Sequence, residues 1–288
     1  MNSWTHRTQP LPWHPRRALK RLVLRQIRRD VRCVFVLSTG RCGTTSLASL
    51  LNLSDSITAV HEPRPRFLEE TKALYETHRA NIASVERNFL NGFQWTRYPS
   101  LLEAWKTSSY YAECSNRLTY AAPALARHFK KAQFIHLYRH PADVVRSAMR
   151  RGYYTGDHVW DPSRITPRQD DDARSHWESW TEFEKCCWYW KAVNEFSCRF
   201  GKSVGADRCF SLPAEMLFEN NEETLLHLFH WLGAEAPAQH SRHDALSEPQ
   251  NTQTQGKFPL WDDWSLPMKQ TLSRIASPVA EQLGYDLS

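Results

Sequence analysis

No apolar run in this 288-residue chain approaches the ~18 residues that a bilayer-spanning helix needs, so no transmembrane segment is expected. The first residues place Trp4, Trp13 and a run of arginines where the apolar core of a signal peptide would stand; the expected location is the cytoplasm. Metal-ligand spacing is missing too. The seven cysteines, at 33, 42, 114, 186, 187, 198 and 209, are odd in number and scattered, which points to reduced thiols and no metal. Cys186 and Cys187 are neighbours on a helical stretch, where disulfide geometry is unfavourable. There is no internal repeat and no low-complexity tract. What is present is an ordinary globular composition, 41% hydrophobic and 24% charged, long enough to bury a real core.

The net charge of +6 is unevenly placed: residues 1–32 hold nine Arg or Lys and one Asp, a net +8, so the rest sits near −2. In "RRALKRLVLRQIRRD" Leu19, Val23, Ile27 and Val31 recur at i+4 among arginines, the pattern of an amphipathic helix. Such a helix can meet nucleic acid or a membrane surface, or cover the domain with a solvated basic face. The second reading is the simpler, and no nucleic-acid partner is expected. Residues 1–32 are accordingly taken as a basic helical extension and 33–288 as one domain.

Within that domain strands and helices alternate. "CVFVLS" (33–38), "SITAV" (56–60), "YYAEC" (110–114), "AQFIHLY" (132–138) and a stretch in "RCFSLPAEML" have strand character. Residues 66–107 have helical patterning broken near Asn91-Gly92 and Pro99, and "NNEETLLHLFHWLG" is a capped helix ending at Gly233. The fold class is therefore α/β, a P-loop-like parallel sheet flanked by helices. Ligands of such sheets bind beyond the carboxyl ends of the strands. The polar clusters at 38–46, 61–66, 113–117 and 139–147 all fall at that edge.

The first cluster is the most informative. In "VFVLSTGRCGTTSLASLLNL" a buried strand turns through Gly40 and Gly43 into a helix carrying Thr44, Thr45 and Ser46. That turn exposes backbone N–H groups at the positive end of a helix. The glycines allow close approach of an anion, and Arg41 adds a forked charge. A Walker loop would place a lysine after Gly43; Thr44 stands there instead, which disfavours a kinase or NTPase. The dinucleotide Gly-x-Gly-x-x-Gly pattern also fails.

"LSTGRCGTTSL" resembles the 5′-phosphosulfate loop of sulfotransferases, and "LYRHPADVVRS" is similar to that family's second signature, with Arg139 and Ser147 eight residues apart. "NNEETLLHLFHWLGAE" and "EQLGYD" resemble the carboxyl half of bacterial and Golgi-type members. The resemblance implies 3′-phosphoadenosine 5′-phosphosulfate (PAPS) as co-substrate and a metal-free reaction. Gly40, Arg41, Cys42, Gly43, Thr44, Thr45 and Ser46 would hold its 5′ end, and Arg139 with Ser147 its 3′-phosphate. Gly256-Lys257 would close over that phosphate, with Arg242 as an alternative cation. Arg41 would also stabilise the leaving oxygen.

A hydroxyl acceptor needs a base. Cytosolic animal sulfotransferases use a histidine on the third strand, where this chain has Glu113-Cys114-Ser115-Asn116. Golgi-type and tyrosyl-protein members place a glutamate after the second strand, which matches Glu62 in "AVHEPRP". Glu62 is the candidate base and His61 its rival, unless Glu62 only pairs with Arg64 or Arg66. Glu113, Asn116 and Arg117 are candidates to touch the acceptor or the bridging part of the donor.

Two other segments stand out. "HWESWTEFEKCCWYWKAVNEF" holds four of the twelve tryptophans and fits a packed helix better than a stacking platform. Asp170-Asp171-Asp172 lies in a loop, either a solvated face or an acidic lid. His136 and His140 flank a strand end and fit structural or capping roles. The leading function is a sulfotransferase acting on a hydroxyl or amine of a small-molecule, carbohydrate or peptide acceptor. The alternatives are an atypical P-loop kinase of small molecules, which would need Mg²⁺, and a non-catalytic nucleotide- or nucleic-acid-binding module. Neither the acceptor nor the oligomeric state is encoded legibly.

Overall fold

Five short runs become the strands of a single sheet, nearly fully buried in the three central ones and half-buried at the edges: β1 (Arg32–Leu37), β2 (Ile57–His61), β3 (Tyr110–Cys114), β4 (Gln133–Tyr138) and β5 (Cys209–Pro213). The computed structural model describes residues 15–77, 81–247 and 256–287. All pairings are parallel, in the order β2-β3-β1-β4-β5. In register, Val34 of β1 faces Ala112 on β3, and Val36 faces Ile135 on β4. Because β1 is central, the chain leaves it between strands that continue to opposite sides, the place where parallel α/β sheets open a crevice.

Side chains of a strand alternate between faces, and β1 uses both. Val34 and Val36 pack with Leu47, Leu50, Val145, Trp188 and Leu228 on one face. Cys33, Phe35 and Leu37 pack with Ile27, Phe89, Phe93, Leu101 and Phe129 on the other. Phe35 sits 5.8, 6.0 and 5.9 Å from the rings of Phe93, Phe129 and Phe134; truncating such a ring to alanine costs ~3–5 kcal/mol.

The basic N-terminal helix, α1 (Pro15–Asp30), lies on this second face. Leu24, Ile27 and Val31 are buried while Arg21, Arg25 and Arg29 are exposed; the side chain of Leu19 is outside the described set. Gln94 accepts from Arg28, and Lys130 N–H donates to the Arg28 carbonyl at 3.0 Å. Leu24 belongs to the buried stripe although the i+4 pattern passes it over.

Residues 66–107 form three helices, α3 (Leu68–Glu76), α4 (Ile82–Thr96) and α5 (Tyr98–Thr107). The break expected at Asn91-Gly92 is absent: α4 runs through it. A Cβ on Gly92 would meet the Phe67 ring at 3.4 Å, an ordinary contact, so neither space nor backbone conformation demands glycine there. The second expected break, near Pro99, is present: Arg97 separates α4 from α5, which carries Pro99 in its first turn. The remaining helices used below are α2 (Thr44–Leu51), α6 (Ala122–His128), α7 (Pro141–Met149), α8 (Glu182–Val204), α9 (Ala214–Phe218), α10 (Glu222–Leu232), α11 (Gln239–Ser247) and α12 (Leu266–Gln282). Helix α8 starts later than the tryptophan run suggests. Thr181 and Glu184 form a capping box, so Trp177 and Trp180 precede the helix. Asn221 caps α10 and Gly233 ends it in the left-handed conformation. All seven cysteines are free. Among the described residues no helix is long and apolar enough to cross a membrane.

Candidate active site

Strand β1 ends at Leu37, and the backbone then takes left-handed values at Gly40 (φ 77°), Arg41 (φ 62°) and Gly43 (φ 87°). A Cβ on Gly43 would lie 2.8 Å from the Phe218 ring, and one on Gly40 3.0 Å from the Asn116 amide. Both glycines are thus required by conformation and by space. The turn is fastened internally. Gly40 N–H donates to Ser38 Oγ at 3.1 Å, Ser38 N–H to Thr119 Oγ1 at 3.1 Å, and Tyr189 O–H to the Thr39 carbonyl at 3.1 Å. Helix α2 follows with no side chain capping its first amides, so its positive end faces the crevice. Cys42 turns its thiol into the core, 3.3 Å from the Gly40 carbonyl; burial pushes that thiol's pKa up. The thiol braces the turn from the buried side, 3.2 Å from Thr39 Oγ1.

Arg41 is the hub. Its Nε donates to Ser147 Oγ on α7 at 2.9 Å, and its carbonyl accepts from Arg139 Nη1 at 3.5 Å. Two residues from the end of β4 and the next helix are therefore joined through one residue of the first loop. Arg139 is held by Asp143 at 2.8 Å and lies over the Phe218 ring at 5.2 Å. Its carbonyl accepts from Trp190 Nε1 at 3.0 Å. Helix α8 thus props the loop with Tyr189 and Arg139 with Trp190, a role that the tryptophan run alone did not reveal.

At the end of β2, His61 Nε2 lies 3.1 Å from Thr44 Oγ1 and 3.3 Å from Thr45 Oγ1. Burial lowers its pKa, with Glu62 opposing and Arg66 adding to the shift. Glu62 has a left-handed backbone (φ 40°), unusual for a residue with a side chain, and pairs with Arg66 at 3.3 Å. The three carbonyls that follow are gripped by Arg97, which donates to Pro63, Arg64 and Pro65 at 3.0, 3.0 and 2.9 Å.

Glu113 does not reach the crevice as anticipated. It is buried, takes two hydrogen bonds of 3.0 Å from Arg97 and one of 2.6 Å from Tyr111. Position 113 belongs to the anchoring of the Glu62 segment. Asn116 and Arg117 do line the crevice, a cleft of ≈ 230 Å³ shared by Gly40, Arg41, Thr44, His61, Glu62, Arg66, Arg151, Tyr153, His158 and Trp160. The 151–160 contributors carry no sequence motif.

Gly256 and Lys257 sit on the far side of α7, in a groove with Arg146, Arg150 and Phe258. The Gly256 carbonyl accepts from Arg150 Nε at 3.0 Å, about one turn beyond Ser147. Arg242 is unsuited to the cation role given it as an alternative: it is buried and paired with Glu222 at 3.1 Å. Asp171 caps Ala173 N–H at 2.9 Å and accepts from Trp188 Nε1 at 3.1 Å, which makes that part of the acidic run a brace. His136 bonds Asn194 at 2.9 Å, and His140 accepts from Ala142 N–H at the start of α7.

The sequence model of the sulfotransferase family matches residues 33–238, over two thirds of the chain. The chain belongs to that family. Solved sulfotransferase structures share its fold. The sulfotransferase domain of the Synechococcus PCC 7002 olefin synthase matches with a TM-score of 0.53 at 16% identity, over 90% of this chain and 97% of that one. The sulfotransferase domain from the curacin biosynthetic pathway gives 0.51 at 14%, over 90% and 100%. A sulfotransferase from Alicyclobacillus acidocaldarius gives 0.50 at 13%, over 88% and 96%. No curated protein matches the sequence significantly. In this sulfotransferase the cleft and the Arg139–Ser147 position both open at the carboxyl edge of the sheet, on either side of Arg41.

Proposed function

We propose that this sulfotransferase takes a sulfuryl group from PAPS and passes it to a hydroxyl, or an amine, of a small-molecule, carbohydrate or peptide acceptor. The observation that carries the reading is Arg41 bridging the loop to Arg139 and Ser147. A donor with phosphate on both the 3′ and 5′ positions of one ribose needs two anion sites at a fixed separation. The loop amides with Thr44 and Thr45 supply one, and Arg139 with Ser147 the other. Lys257 stands in a separate groove with Arg146 and Arg150 and is not part of this pair.

The acceptor oxygen attacks sulfur in line with the phosphate oxygen; the new S–O bond forms as the old one breaks, leaving adenosine 3′,5′-bisphosphate (PAP). Arg41 and the α2 amides stabilise the charge that builds on the departing phosphate. Glu62 takes the acceptor proton. This assignment is favoured over His61 because His61 Nε2 is occupied by the loop threonines. Glu62 lines the cleft with Oε1 unpartnered among the described residues. The free cysteines support a reducing, cytoplasmic setting.

Thermal melts with PAP, and with ADP plus Mg²⁺, test the reading. A ligand at 100 times its Kd stabilises by ~2.7 kcal/mol, a shift of several degrees. Stabilisation by PAP without metal, lost in Arg139→Ala, is expected. A response to ADP with Mg²⁺ alone would replace the sulfotransferase reaction with a kinase one.

A further inference from the structure

The cleft carries more positive charge than the donor requires. Arg41, Arg66, Arg117 and Arg151 line it, and Glu62 is the one carboxylate among its described lining residues. Glu62 is already paired with Arg66. Arg117 has no ion pair or hydrogen bond among the described residues, and its Nε is sealed from solvent without a partner. Arg117 is half-buried in the cleft wall, and a sealed N–H left in that state is costly unless a ligand completes it. Both Arg117 and Arg66 lie over the Trp160 ring, at 5.9 and 5.5 Å, so an aromatic plate and two cations share one wall.

The neighbours register the same field. Burial is the first cause of the lowered pKa of His158, and Arg164, Arg117 and Arg151 add to it against Asp161. Arg41 is lowered by burial and then by Arg151. The phosphosulfate of the donor is answered by Arg41 and the α2 amides, which leaves Arg117 without a counter-charge.

We propose that the acceptor is itself an anion, a hydroxyl compound whose carboxylate, phosphate or sulfate docks on Arg117 beside Trp160 and Arg66. The inference rests on the sulfotransferase reading above and names its acceptor class. It also couples docking to chemistry: an oxyanion reaching Arg66 competes for the cation that holds Glu62 Oε2, and so releases the base as the acceptor arrives.

The test uses the full chain and its Arg117→Gln and Arg117→Lys variants. Transfer of radiolabelled sulfate from PAPS is measured on matched pairs, 4-hydroxybenzoate against its methyl ester and glucose 6-phosphate against glucose. The charged member is expected to lead by at least about tenfold in kcat/KM, the discrimination of one charge-assisted contact. The preference should vanish in Arg117→Gln and partly survive in Arg117→Lys; the two pairs separate a carboxylate from a phosphate ligand. Should no pair be turned over, melts of the PAP-saturated protein decide: inorganic phosphate should stabilise the wild type and not Arg117→Gln. The proposal is overturned by equal or better turnover of the neutral members, or by phosphate leaving the wild type unmoved. It is equally overturned if Arg117→Gln weakens PAP binding, which would assign Arg117 to the donor. Failure of PAP to bind the wild type at all would instead sink the donor reading, and this inference with it.

Discussion

Replacing Arg97 by methionine should damage both stability and chemistry while sparing the donor site. Arg97 and Glu113 are only 4% and 2% exposed in their side chains and share two bonds of 3.0 Å. Removing one partner of a buried pair leaves the other charge uncompensated, at a cost of ~3–5 kcal/mol. Of a total stability of ~5–15 kcal/mol that is a large share. For a chain of this length it lowers Tm by roughly 5–8 °C. Three carbonyls, of Pro63, Arg64 and Pro65, lose their donor as well. The segment that fixes Glu62 loosens, so transfer should fall in the folded variant while PAP affinity is kept. Urea unfolding of Arg97→Met, Glu113→Gln and the double variant gives the coupling directly; the double should lose less than the sum of the singles. The reasoning is refuted if Arg97→Met costs under ~1 kcal/mol, or if the two changes add within ~0.5 kcal/mol.

Three further outcomes are expected. Gly43→Ala must hold a left-handed backbone, at ~1–2 kcal/mol, and push on Phe218, 2.8 Å from the new Cβ, at ~1–3 kcal/mol; calorimetry should find PAP binding lost and unfolding should come earlier. Glu62→Gln should leave PAP affinity in place and lower kcat by ~10²–10⁴-fold, and a larger loss in His61→Gln would transfer the base role to His61. His136 titrates at about 4 instead of 6.5 because burial outweighs its bond to Asn194. The unfolded chain therefore takes up this proton first, so the stability it contributes is complete above pH 6.5 and is lost as pH falls towards 4. Between pH 8 and 5 the loss is about 2 kcal/mol, read as a flatter pH dependence of urea midpoints in His136→Gln; identical slopes would contradict it.

The strands were legible because each is a short apolar run closed by polar or turn-forming residues, as "CVFVLS" is closed by Thr39-Gly40. The phosphate loop was legible because glycine and threonine at fixed spacing have a local meaning. Long-range pairing has none. Arg97 meets Glu113 across a helix–strand gap, and neither residue's neighbours announce it, so Glu113 was assigned to the site instead of to its scaffold. Tyr189 and Trp190 looked like core, and they are; only the direction of a phenol and an indole N–H makes them props of the loop and of Arg139. Gly92 was misjudged for the opposite reason. A local helix-breaking tendency of about 1 kcal/mol yielded to the burial of Phe89 and Phe93 on either side of it in α4.

The central claim is that the loop at 40–45 and the Arg139–Ser147 pair hold the two phosphates of one nucleotide. A crystal structure of the PAP complex tests it most directly. The 5′-phosphate should lie on the amides of Gly43, Thr44 and Thr45, and the 3′-phosphate on Arg139 and Ser147, with Arg41 Nε released from Ser147 towards the cleft. A nucleotide lodged elsewhere, such as in the groove between Arg146 and Lys257, or one whose 3′-phosphate touches neither Arg139 nor Ser147, would contradict it.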